Sequence, residues 1–109
     1  MSRTLTLTHA GWTAARALAQ AGRRADALAQ LGRLLARPDL TAPVAADARR
    51  LAGELELDGG NYAAARRHLR AAAGLEPTHA RTQYTLGVAH DRDPHGDVRR
   101  AALDRKSVV

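Results

Sequence analysis

Residues 51–87 read LAGELELDGGNYAAARRHLRAAAGLEPTHARTQYTLG. Leu51 and Ala52 are followed one helical turn later by Leu55, and the phrase breaks at Gly59-Gly60-Asn61. Tyr62, Ala65, Leu69, Ala72 and Leu75 then recur at three- and four-residue spacing, the mark of an apolar stripe along a helix. Pro77 stops that helix, since proline has no N–H and clashes with the turn before it. Tyr84, Leu86 and Gly87 begin the phrase again. Two amphipathic helices, a glycine turn, a proline stop and a restart describe an antiparallel helix pair that repeats.

The rest of the chain reads the same way. Residues 1–7 alternate Thr4, Leu5, Thr6 and Leu7 and are read as an extended N-terminal leader, too short to form a strand alone. A first helix is expected from Thr8 to Ala21, with Thr8 as N-cap and Trp12, Ala14, Ala15 and Leu18 on one stripe; Gly22 ends it. A second, from about Arg24 to Ala36, carries Ala27, Leu28, Leu31, Leu34 and Leu35. After a loop bracketed by Pro38 and Pro43, helices are expected from Pro43 or Val44 to Leu57, from Asn61 to Gly74 and from Thr78 to His90, with Asn61 and Thr78 as caps. A short sixth helix is expected from Asp97 to about Lys106.

The repeat is visible in three columns. Gly22, Gly60 and Gly96 each stand two residues before Arg24, Tyr62 and Val98, which each stand three before Ala27, Ala65 and Ala101. The intervals are 38 and then 36 residues in all three columns.

This spacing resembles the tetratricopeptide repeat, with a period of 34 and a pattern W-x2-L-G-x2-Y followed by alanine, an aromatic and proline. Leu51-Ala52-x2-Leu55 stands for the opening phrase, and Ala65, Leu69, Ala72 and Pro77 follow. Aligned so, the Asp58-Gly59-Gly60-Asn61 turn holds one extra residue and the loop before Val44 about four. The resemblance implies an all-α, right-handed α-α superhelix of three antiparallel helix pairs. The units span about 8–38, 44–77 and 78–107, within one domain over residues 8–109. It also implies a concave surface lined by the first helix of each pair, where such proteins meet their partners.

On that reading the groove is lined by His9, Trp12, Arg16 and Gln20 on the first helix and by Ala46, Arg49, Gly53 and Glu56 on the third. The fifth contributes Arg81, Tyr84, Val88 and Asp91. Aromatic rings beside several guanidinium groups suit an extended peptide with acidic residues, because arginine meets a carboxylate with two parallel hydrogen bonds. Relatives that clamp a C-terminal carboxylate use lysines, an arginine and asparagines; here only Arg81 stands at a matching place.

Composition sets the remaining limits. Twenty-five alanines and three aromatic residues in 109 demand close helix approach and a thin two-layer stack. Sixteen arginines, one lysine and a net charge of +6 argue solubility and non-specific attraction more than a site. Cysteine is absent, and no apolar run approaches the roughly 20 residues of a membrane helix, so the cytoplasm is the expected compartment. The only serines are Ser2 and Ser107, and neither sits by a histidine; no glycine-rich phosphate loop follows a strand, so no enzyme is indicated. His90, Asp91, Asp93 and His95 are potential metal donors, but Pro94 and Gly96 explain that stretch as a turn, and neither metal nor cofactor is expected. Arg66, Arg67 and Arg70, with Arg99, Arg100, Arg105 and Lys106, form basic patches without the interleaved aromatics that stack single-stranded nucleic acid. The expected function is a protein-interaction module binding a peptide or partner segment in its groove. The alternatives are a homo-oligomer formed through the uncovered sixth helix and Leu103, a regulatory part of a larger protein or, ranked after these, an RNA-binding solenoid.

Overall fold

The computed structural model describes residues 2–93, and side chains from Thr8 onward. Five helices follow one another: α1 (Ser2–Gln20), α2 (Arg24–Leu35), α3 (Ala42–Asp58), α4 (Tyr62–Leu75) and α5 (Ala80–Arg92). No strand occurs among the described residues. The expected sixth helix, Ala101 and Leu103 lie outside them.

α1 packs antiparallel to α2 and α3 to α4, and the two turns are built alike. Gly22 and Gly60 have φ of 78° and 79°, the left-handed region glycine enters without penalty. Beyond each, an amide reaches back five residues, Arg23 to the Leu18 carbonyl at 2.9 Å and Asn61 to the Glu56 carbonyl at 2.8 Å. The carbonyls a helix end leaves unpaired are thereby satisfied. Ala27 and Ala65, the matched alanines on α2 and α4, are both fully buried.

The pairs then stack. Ala15, Ala27, Leu31 and Leu34 of the first pair form one core with Ala48, Ala52 and Leu55 of α3, and Trp12 and Leu18 pack on its edge. A second core joins Leu57, Ala65, Leu69 and Ala89. Neither pair covers its apolar face alone, so the stacking is obligatory.

Several expectations change. Residues 2–7 are not an extended arm: they continue α1, so Thr8 lies inside the helix and caps nothing. Alternating Thr-Leu suits a strand, but with no strand to pair with, the backbone satisfies its hydrogen bonds within a helix instead. Thr78 is not the cap of the fifth helix. That role falls to His79, whose Nδ1 accepts from the Thr82 amide at 3.4 Å.

The turn between α3 and α4 holds no extra residue, and this shifts the reading of α3 by one position. Gly53, rather than Ala52, is where α3 meets α4. A Cβ on Gly53 would lie 2.6 Å from Leu69 Cγ and 3.3 Å from the Ala65 carbonyl oxygen. Ala52 turns to the first core.

Gly53→Ala should therefore destabilise the fold by about 1–3 kcal/mol despite alanine's better helix propensity, because fully buried Leu69 has nowhere to move. Gly32→Ala, on an exposed face of α2 with nothing within 4 Å, should stabilise by about 0.5–1 kcal/mol. Paired thermal melts followed by circular dichroism check both signs.

Candidate functional site

The register of α3 decides what the concave side presents. Ala48, Ala52 and Leu55 face the first pair, and Gly53 faces α4. The remaining face carries Asp47, Arg50, Leu51 and Glu54 into the hollow between α1 and α5.

That hollow is an open cleft in two sections. The first, about 420 Å³, is lined by Trp12, Arg16, Ala19 and Gln20 of α1, by the four α3 residues just named and by Arg81 of α5. The second, about 470 Å³, runs from Glu54, Leu57 and Asp58 of α3 to Arg81, Tyr84, Thr85, Val88 and Arg92 of α5. Glu54 and Arg81 line both sections.

The structure brings Trp12, Arg16, Gln20, Arg81, Tyr84 and Val88, which the resemblance places in the groove, to the lining of this cleft. His9 is exposed on α1, one turn before Trp12, and lines neither section; Asp91 is likewise exposed and outside both. Arg49 and Glu56 do not face the groove. Arg49 Nη1 lies 3.2 Å from His68 Nδ1 on α4. Glu56 lines a separate recess at the start of α4 with Tyr62 and Arg66. Ala46 is fully buried.

Arg50, which the sequence reading passed over, is the most constrained side chain in the cleft. Only 8% of the residue is exposed. Its Nε donates to Thr82 Oγ1 at 2.7 Å, its Nη1 to Asp47 Oδ1 at 2.8 Å and its Nη2 to Glu76 Oε1 at 2.8 Å. The fork of five donors that arginine alone provides is here spread over α3, α5 and the segment between α4 and α5. Thr82 Oγ1, accepting from Arg50, lies 3.3 Å from His79 Nδ1 and can pass its own hydrogen there. A chain of hydrogen bonds therefore runs from α3 to the start of α5. Beside it Arg81 grips Glu54 with two bonds, Nε to Oε1 at 2.8 Å and Nη2 to Oε2 at 3.0 Å.

At the α1 wall the Arg16 guanidinium lies 5.9 Å from the centre of the half-buried Trp12 ring. That distance is within reach of cation–π attraction. On the opposite side of the molecule, Arg66 pairs with Asp93, both largely buried, while Arg67 and Arg70 are exposed. Among the described residues, no group of three or more His, Asp or Glu could hold a metal ion. No described helix is long and apolar enough to cross a membrane.

A stack of antiparallel helix pairs with a cleft along the first helices is an α-helical repeat protein. The family model described as Tetratricopeptide repeat matches residues 13–80 and, overlapping, 52–105, and the chain belongs to that family. No curated protein and no solved structure matches it.

Two outcomes follow from this geometry. Arg50→Ala should cost about 1–3 kcal/mol, because it strips Thr82 of its donor and unties α5 from α3. Asp47 and Glu76 are part-exposed and can return to water, which keeps the loss below that of stranding a fully buried charge. Hydrogen exchange should show α5 amides losing protection before those of α2.

The second concerns His68. Burial holds its imidazole below the ordinary value of 6.5, the Arg49 charge adds to this, nearby Glu56 opposes it and Arg67 lowers it further. The unfolded chain then binds the proton more readily, so stability present above about pH 6.5 is lost as pH falls through that value toward the folded one. His68→Gln, which still accepts from Arg49, should flatten the fall in melting temperature between about pH 7.5 and 5.5.

Proposed function

We propose that this protein is an interaction module that holds an extended peptide or partner segment along the cleft between α1, α3 and α5, without catalysis. Tetratricopeptide repeats generally mediate protein–protein interaction or scaffolding. The observation that carries the reading here is the cleft itself. Its floor is fixed by Arg50 and by the Glu54–Arg81 pair, and its ends offer Trp12 with Arg16 on one side and a Tyr84 ring that is 75% exposed on the other. Side chains held in place before binding reduce the entropy lost when a flexible partner is ordered. Partly exposed aromatic and arginine side chains are the types that dominate binding energy at interfaces. The role is one of display: the helices present a pre-set surface and do no chemistry.

The test is capture from a cell extract with the protein immobilised and the bound species identified by mass spectrometry. Arg16→Glu combined with Tyr84→Ala alters two exposed groove residues and should leave melting within about 0.5 kcal/mol of the parent while abolishing specific capture. Arg70→Glu, exposed on α4 away from the cleft, should capture as the parent does. Equal capture by the groove variant and the parent would rule the cleft out as the site.

A further inference from the structure

The charges in the cleft say more about the partner than the count of arginines does. Of the three guanidinium groups lining its first section, two are already committed. Arg50 spends its donors on Thr82, Asp47 and Glu76 and is too buried to turn toward a ligand. Arg81 is forked onto Glu54. Arg16 is exposed and, among the described residues, forms an ion pair with no carboxylate; its guanidinium lies over the ring of Trp12. The same section contains the carboxylates of Asp47 and Glu54.

We infer that Arg16 is the specificity-determining cation of the groove's first section, and that the stretch of peptide bound in that section carries a single carboxylate side chain set against Arg16 and not a run of acidic residues. This rests on the groove being the binding site. A carboxylate placed on Arg16 gains a charge-assisted, two-pronged hydrogen bond to a group that the Trp12 ring already holds in place. A second carboxylate within this section would lie beside Asp47 or Glu54 and find Arg50 and Arg81 taken, and such like-charge opposition is how interfaces reject wrong partners. The chain's net charge of +6 would suggest an acidic ligand; the pairing inside the first section narrows this, for the stretch bound there, to one acidic position.

Selection of random twelve-residue peptides displayed on phage tests this against the parent, Arg16→Glu and Arg70→Glu proteins. The parent should select sequences with one Asp or Glu at a fixed register, and changing that residue to its amide in a synthetic peptide should weaken binding roughly tenfold. Arg16→Glu should select Lys or Arg at that register, and Arg70→Glu should select as the parent does. Selected peptides with acidic runs, or an acidic preference that survives Arg16→Glu, would overturn the inference while leaving the cleft as the site. If the parent selects no peptide, the cleft reading fails and the inference falls with it.

Discussion

Gly53 lies so near α4 that a Cβ there would come within 2.6 Å of Leu69 Cγ, and most of what the concave surface offers depends on this close approach. A helix has no freedom to choose its outward residues once one position is fixed, because each successive side chain turns by 100°. With Gly53 against α4, Ala48, Ala52 and Leu55 must meet the first pair, and Asp47, Arg50 and Glu54 must meet the hollow. Moving the contact by one residue would bury Arg49 or expose Ala52. In an alanine-rich chain with so few large side chains, such close approaches replace the bulky core of an ordinary domain.

The same choice explains why the cleft is rigid and electrically mixed. Arg50 lies where an apolar residue could have filled the joint between α3 and α5. Its charge is offset by Asp47 and Glu76, and its Nε–H donates to Thr82; no buried polar side-chain atom among the described residues lacks a partner. A buried ion pair of this kind contributes geometry more surely than stability. It sets α5 at one position relative to α3, which in turn lets Arg81 reach Glu54. The exposed pair is worth little energetically, generally under about 1 kcal/mol; its consequence is that the groove keeps only Arg16 of its first three arginines for another molecule.

Much of this was legible in the residues. The positive-φ glycines at 22 and 60 follow from turn chemistry and the buried Ala27 and Ala65 from spacing, while the alignment of Trp12, Arg16, Arg81 and Tyr84 is what the resemblance to the tetratricopeptide repeat implies. What went astray was one helix. Leu51-Ala52-x2-Leu55 looks like the opening phrase because its residues are apolar, but the quantity that matters at that position is the space for a neighbouring helix, and Gly53 has the least bulk. The 38-residue interval already contained the answer. Added to Trp12 and Arg16 it lands on Arg50 and Glu54, while Gly53 follows Ala15 by the same interval and precedes Gly87 by 34. Arg50 escaped notice for a different reason: an arginine on a helix normally lies in water, and only tertiary structure brings Glu76 and Thr82 to it. Residues 2–7 alternate as a strand would, but among the described residues there is no strand to pair with them, and they form the start of α1.

The register of α3 is the account's central claim, and proton–proton Overhauser contacts in the labelled protein measure it most directly. Strong contacts are expected between the Gly53 α-protons and the Leu69 methyl groups, with Ala52 showing contacts to residues of the first pair instead. Contacts from Ala52 to Leu69, with Gly53 silent toward α4, would contradict it and return Arg49 to the groove in place of Arg50.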